Sequence, residues 1–280
     1  PMTPSTGIMN YLASKEKEFG LVVEQAEDEI AAINMAVGAS FAGARSMTAS
    51  SGGGFALMVE GVSLAAMTET PVVIALGQRP GPATGFPTRT EQAELHMALH
   101  AGHGEFPRFI FAPGSPEQAF FLTNKAFDLA EKYQVPSFVL FDTYLSDCQW
   151  TYRGFDPARL RNKDYRLRGE AFAALAEYKR YGFTQSGVTP LAVPGDGPHC
   201  VVADSDEHDE MGHIVEDAET RIKMTEKRLF KKMPDMRNEV APPFLYGDHN
   251  PDIVLVCWGS LYGLLREAVD VLAGSYGIAK

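Results

Sequence analysis

The sequence predicts an α/β fold: a mostly parallel sheet with helices on both faces. Three observations point there. Short apolar runs recur along the first half, at 21–23, 46–50, 72–76, 109–112 and 136–141. Stretches with helical spacing separate them, in units of about 25 to 35 residues, the rhythm of β–α–β crossovers. Polar, glycine-rich loops (SSGGG, QRPGPATGFPTRT, HAGHGEF) follow or lie close to the ends of the runs. In such sheets ligands bind beyond the carboxyl ends of the strands, where loops leave.

The elements follow in order. LVV at 21–23 is the first apolar run. EIAAINMAVGASFAGA then reads as a helix with Ile30, Ile33, Val37 and Phe41 on one face. SMTAS leads through SSGGG into GFALMVEGVSLAAM, which is almost wholly apolar and reads as a buried helix. VVIAL runs into the proline-rich loop, and FIFA follows HAGHGEF. SPEQAFFLTNKAFDLAEKY carries a cap in Ser115, proline at the first helical position in Pro116 and Glu117 just after it. Its expected buried residues are Phe120, Leu122 and Phe127. PSFVLF closes the series.

After about residue 150 the character changes. TYRGFDPARLRNKDYRLRGE is charged and lacks strand patterning, and YGFTQSGVTPLAVPGDGP reads as a long loop. DSDEHDEMGHIVEDAETRIKMTEKRLFKKM reads as a helix running acidic to basic, which suits the helix dipole. DIVLVCWGSLYGLLREAVDVLAG reads as strand, turn and helix. The expected organisation is a first domain over 1–150, a connecting region over 151–245 with a helix near 205–233, and the start of a second α/β domain over 246–280. The opening PMTPST and the closing IAK suggest a piece of a longer chain.

The 280 residues carry a net charge of −11, with 45% apolar and 22% charged residues. That balance argues against a nucleic-acid or anionic-membrane surface, yet leaves room for a local cationic pocket. Cys148, Cys200 and Cys257 lie far apart without a C-x-x-C pair, which argues against an iron–sulfur cluster or structural zinc in this chain. Sparse thiols suit a reducing cytoplasm. No apolar run is long enough to span a bilayer.

Four stretches offer chemistry, each with a plainer explanation. Glu27, Asp28 and Glu29 open a helix, where carboxylates suit the dipole. Glu29 also shares a face with Ile33 and Ala36, so it is a candidate proton donor or partner. SSGGG sets backbone N–H groups where they can hold an anion, or simply makes a tight turn. In QRPGPATGFPTRTEQ, Pro80, Pro82 and Pro87 stiffen the loop, and Arg79 leaves the strand at its carboxyl end. A guanidinium there can grip a carboxylate through two hydrogen bonds, with Thr84, Thr88 and Thr90 as further donors. Alternatively, Arg79 pairs internally with Glu69, Glu91 or Glu94. His100, His103 and Glu105, and likewise His208 and His213, lack a metal-ligand spacing and read as loop or solvated-helix histidines.

Together these stretches resemble one family: the alpha subunit of the 2-oxoacid:ferredoxin (2-oxoacid:acceptor) oxidoreductases, thiamine-diphosphate enzymes related to pyruvate:ferredoxin oxidoreductase. PMTPST is similar to the end of its Tyr-Pro-x-Thr-Pro-Ser motif. VEQAEDEIAAINMAVGASFAGARSMTASSGGGFALMVEG, MTETPVVIALGQRPGPATGFPTRTEQ, HAGHGEFPR, AEKYQVP, DSDEHDEMGH, MTEKRLFKK and VLVCWGS follow in the family's order. The departure is at the ends, where the family has more chain on both sides, often with a fused gamma domain upstream.

The resemblance implies a pyrimidine-type thiamine domain over 1–150 and oxidative decarboxylation of a 2-oxoacid to acyl-coenzyme A and carbon dioxide, with electrons passed to ferredoxin. It implies thiamine diphosphate shared with a beta subunit that holds the magnesium and a 4Fe–4S cluster. It also implies a gamma domain or subunit. Glu29 stands nine positions before Gly38, the family spacing for the glutamate facing the aminopyrimidine, whereas Glu27 stands eleven before it. Arg79 is implied to hold the 2-oxoacid carboxylate, with Thr3 and Thr88 lining the same pocket. The competing expectation is a non-catalytic α/β module that binds an anion or nucleotide through SSGGG and Arg79.

Overall fold

A computed structural model describes residues 2–160 and 162–276. Pro1 of the PMTPST motif and Gly277–Lys280 of the expected second-domain start lie outside the described residues.

The expected parallel sheet is present. It holds β1 (Met47–Ser51), β2 (Val72–Gln78), β3 (Phe109–Phe111) and β4 (Pro136–Asp142), in the order β1-β2-β4-β3, every pair parallel. All residues of β2 and β4 are buried, as their unbroken apolar runs require. Strand alternation divides them between two cores. Val72, Ile74, Leu76, Phe138 and Leu140 point to one face, where α2 (Glu29–Phe41) and α3 (Gly52–Met67) cover them. Val73, Val139 and the two phenylalanines of β3 point to the other, under α5 (Pro116–Tyr133). Ala75 and Phe141 meet Ile8 of α1 (Thr6–Phe19) on that same side. Phe55 and Phe138 lock the first core with an edge-on contact at 5.4 Å. A Cβ on Gly61 would lie 2.5 Å from Ile33, so α2 and α3 approach as closely as they do only over glycine.

Local signals explain the helix ends. Asp28 accepts a hydrogen bond from the Ala31 N–H, and Ser115 accepts one from the Gln118 N–H. α5 stops at Gln134 in the left-handed conformation, φ 56°.

Several expectations change. LVV at 21–23 is not a strand: Val22 is 93% exposed, just after Gly20 ends α1. The buried face of α2 is Ile33, Ala36, Val37 and Ser40, while Ile30 stands half out in solvent. α5 buries Ala126, Leu129, Ala130 and Tyr133, with Phe120, Leu122 and Phe127 only partly covered. The 151–204 stretch contains a small parallel pair, β5 (Arg166–Leu167) and β6 (Leu191–Ala192), with the short helix α7 (Gly169–Ala173) between them. The helix expected from 205 begins at Ala218, because the acidic stretch before it folds into turns. It runs as α8 (Ala218–Thr225), a π-helical turn at 226–231 and α9 (Met233–Asn238). Residues 253–256 form no strand and are exposed, since no described strand lies beside them to complete their hydrogen bonds, although α10 (Leu261–Tyr276) does form.

One buried ion cluster ties the connecting region to the sheet. Lys227 lies 2.5 Å from Glu69, Lys232 pairs with the other carboxylate oxygen, and all three are buried. Arg180 donates to the carbonyls of Thr68 and Glu69 at 3.1 and 2.6 Å. Burial opposes ionisation of Glu69, but Lys227, Lys232 and Arg180 outweigh it and hold the carboxyl far below its usual range. Burial brings Lys227 down to about 8. Glu69 sits at the amino end of β2, so it is not a partner for Arg79 at the other end.

Candidate functional site

β1 passes directly into α3 at Ser51 and Gly52, so the three glycines form the first turn of a 16-residue helix rather than a separate loop. Their missing side chains have a geometric reason. A Cβ on Gly52 would lie 2.3 Å from Glu94 Oε1, and one on Gly54 would lie 2.0 Å from Ser50 Oγ and 2.7 Å from Glu29 Oε1. The positive end of α3 is therefore pressed between two carboxylates. Gly53 is less crowded, with the Ala83 carbonyl at 3.6 Å and Met2 Sδ at 3.7 Å.

Glu29 is half-buried at the first position of α2, and Ser50 Oγ donates to it at 3.2 Å. Across the glycine turn, Arg79 leaves β2 with 5% exposure. Its Nη1 donates to the Thr3 carbonyl at 3.0 Å, and its backbone N–H donates to Glu94 Oε2 at 3.2 Å. Its Nε is buried without a hydrogen-bond partner. Among the described residues no carboxylate forms an ion pair with this guanidinium, so internal pairing does not account for it. Thr3 is half-buried and held over the strand ends by Pro4, whose ring packs where a Cβ on Gly77 would come within 2.9 Å.

The loop between Arg79 and α4 (Leu95–His100) is braced along its length. Gly85 has φ 52°, and a Cβ there would strike the Pro80 carbonyl at 1.8 Å. Thr143 donates to the Arg89 carbonyl at 3.0 Å, and Gln92 donates to the Trp258 carbonyl at 2.9 Å. Asp142, at the end of β4, accepts from Ser260 and caps the short helix α6 (Thr143–Asp147) through the Leu145 N–H. Thr88 is exposed in this loop and hydrogen-bonds to none of Thr3, Glu29 and Arg79.

Thr3 and Arg79 thus meet, Glu29 stands on the far side of the glycine turn, and Thr88 lies outside this set. Sequence reasoning named Glu94 only as a possible ion-pair partner of Arg79, and did not see its place against Gly52. Burial, with Glu91 adding to it, pushes the Glu94 carboxyl up to about 7 against the pull of the Arg79 N–H. An acid ahead of a short helix looks like any helix-start carboxylate, so only its burial distinguishes it.

The histidines do other work. The His103 N–H donates to Ser63 Oγ at 2.8 Å. His208, expected on a solvated helix, is fully buried, donates from Nδ1 to the Asp206 carbonyl and packs on Tyr181 at 4.0 Å. His213 is exposed, 3.6 Å from Asp209. Among the described residues no group of three or more His, Cys, Asp or Glu side chains could hold a metal, and no helix is long and apolar enough to cross a membrane.

The model of one family, described as pyruvate flavodoxin/ferredoxin oxidoreductase, thiamine diphosphate-binding, matches residues 1–227. The 2-oxoacid:ferredoxin oxidoreductase 1 alpha subunit of Sulfurisphaera tokodaii is 41% identical over 288 positions, covering 96% of this chain and 45% of that one. The 2-oxoglutarate synthase subunit KorA of Archaeoglobus fulgidus is 33% identical, covering 98% of this chain and 70% of that one. A solved structure of 2-oxoglutarate:ferredoxin oxidoreductase from Magnetococcus marinus, with 2-oxoglutarate, coenzyme A and succinyl-CoA bound, superposes with a TM-score of 0.88 at 34% identity. It covers all of this chain, which in turn spans 48% of that chain. The chain is thus about half the length of that structure and of the Sulfurisphaera relative.

Proposed function

This chain belongs to the pyruvate flavodoxin/ferredoxin oxidoreductase thiamine-diphosphate-binding family, and from that premise we propose that it is an alpha-subunit portion of a 2-oxoacid:ferredoxin oxidoreductase. The reaction is oxidative decarboxylation of a 2-oxoacid to acyl-coenzyme A and carbon dioxide, with the electrons passed to ferredoxin. The observation that carries this reading is Arg79: a buried guanidinium with an unpartnered Nε and no ion pair among the described residues. A buried guanidinium that no carboxylate pairs with directly is costly unless a ligand supplies that partner. The 2-oxoacid carboxylate is that ligand, held by the planar fork while Thr3 keeps the fork in place from its carbonyl.

The residues present fit thiamine diphosphate. Gly54 leaves clear the space beside Glu29 that a Cβ would fill, and Ser50 orients the carboxylate. Glu29 would hold the aminopyrimidine of the cofactor by a shared proton, and the cofactor, when bound, would supply the carbanion-stabilising carbon. Thr88, exposed in the loop after Arg79, would line the same pocket. Residues 1–150 form the pyrimidine-type domain. Magnesium and the 4Fe–4S cluster belong to a beta subunit, and a gamma domain or subunit completes a cytoplasmic assembly.

The test is anaerobic, 2-oxoacid-dependent reduction of a viologen dye by the complete alpha chain with its beta partner and thiamine diphosphate. Arg79→Ala is expected to lose at least tenfold in turnover efficiency, about 1.4 kcal/mol, with the complex still assembled. Unchanged turnover would return Arg79 and the glycine turn to a non-catalytic anion- or nucleotide-binding module, which nucleotide-dependent thermal shifts would then reveal.

A further inference from the structure

Glu94 is a carboxyl group that the reaction outlined above does not use. It is 7% exposed. Oε2 accepts the Arg79 backbone N–H, and Oε1 lies against Gly52 in the first turn of α3. The charged groups acting on it are Arg79, from the end of β2, and Glu91, from the loop before α4. α3 presents no side chain to it at Gly52, and the Thr3 segment is uncharged.

We propose that Glu94 is a positioning residue that shares Arg79 with the 2-oxoacid, taking up a proton when the substrate carboxylate docks and releasing it once that carboxylate has left as carbon dioxide. This rests on the functional reading above. The physical reason is charge repulsion: an anion docked on the Arg79 guanidinium stands close to the carboxylate that the Arg79 N–H already holds, and two ionised carboxylates at one arginine repel. Burial and Glu91 already bring Glu94 to about 7 with no substrate present. A second anion at Arg79 raises it further, so it binds a proton from solvent. When the carbon–carbon bond breaks, its electron pair stays on the substrate carbon and carbon dioxide departs neutral. The negative charge has then moved from the carboxylate docked at Arg79 onto the substrate carbon, and the Glu94 proton returns to solvent. Only one ionised carboxylate thereby stands at Arg79 at any stage of the cycle.

The probes are oxamate and N-oxalylglycine, which carry the carboxylate–carbonyl head but do not lose carbon dioxide. Calorimetry of the assembled holoenzyme in buffers of different ionisation enthalpy measures the protons taken up on binding. Wild type is expected to take up a sizeable fraction of a proton at about pH 7.5 and to bind more tightly at about pH 6 than at about pH 8, about tenfold for each unit by which the anion raises Glu94. Glu94→Gln is expected to bind with no uptake and a flat pH dependence, while Glu94→Asp restores the uptake. Infrared difference spectra should show a protonated-carboxyl band that grows on oxamate binding and is missing in Glu94→Gln. A purely structural role would weaken binding equally at every pH and leave the uptake unchanged. Binding with wild-type uptake in Glu94→Gln overturns this inference alone. If neither probe binds the wild type, the functional reading fails, and the inference with it.

Discussion

Arg79 reaches across 76 positions of sequence to donate its Nη1–H to the backbone carbonyl of Thr3, at 3.0 Å. The contact uses one end of the guanidinium and leaves Nε buried and free to bond. A main-chain carbonyl cannot neutralise the cation, so it orients Arg79 without satisfying it.

Arg79→Lys should therefore fail nearly as badly as Arg79→Ala. An ammonium is a point charge and cannot bond Thr3 and a carboxylate in one plane. We expect kcat/KM for the 2-oxoacid to fall at least tenfold in both variants, about 1.4 kcal/mol. Steady-state dye reduction measures it, and a fully active lysine variant would contradict a fork-shaped contact.

The glycine turn should tolerate substitution unevenly. Gly54→Ala places a methyl 2.0 Å from Ser50 Oγ and 2.7 Å from Glu29, so it should displace Glu29 and weaken thiamine diphosphate binding. The overpacking costs about 1–3 kcal/mol. Gly53→Ala meets nothing closer than 3.6 Å and should be near neutral or slightly stabilising. Thermal melts with and without the cofactor separate the two.

Glu94 should make the fold less stable as pH rises. Its carboxyl is raised from 4.5 to about 7 by burial first, so the unfolded chain gives up the proton more readily than the folded one. Stability from this group is full below about 4.5 and is lost as pH climbs through 7. Glu94→Gln removes that loss, and should gain on the order of 2 kcal/mol over wild type at about pH 8 but little at about pH 4.5. Urea unfolding at the two pH values reads the difference.

Glu69 should behave in the opposite way. Burial alone would raise its carboxyl, but Lys227, Lys232 and Arg180 hold it low, so its contribution is present above about 4.5 and lost as pH falls. Glu69→Gln leaves two buried lysines without their carboxylate and should cost about 3–5 kcal/mol at neutral pH. Denaturant midpoints test this, and a neutral substitution would mean the lysines find water.

Much of the fold was legible in order along the chain. The unbroken apolar runs at 72–76 and 136–141 became the two fully buried central strands, because a strand covered on both faces has no polar side to show. Ser115 and Pro116 marked the start of α5 because a cap and a fixed φ act within one turn. LVV at 21–23 and DIVLV at 252–256 looked equally strand-like, yet neither is paired in the described structure. Strand propensity is expressed only where a neighbouring strand completes the hydrogen bonds.

The sequence by itself determined the class of fold, the order of its strands and loops along the chain, and the residue types that can grip a carboxylate at a strand's carboxyl end. Those are set by local periodicity, turn chemistry and side-chain chemistry, which short stretches carry within themselves. Only the tertiary structure decided that the Arg79 guanidinium lies on Thr3 while its backbone N–H, and not the guanidinium, takes Glu94, that Glu69 belongs to Lys227 and Lys232, and that Gly52 and Gly54 make room for the carboxylates of Glu94 and Glu29. Those outcomes depend on which distant groups burial brings together, and on which charges then have no water left to turn to.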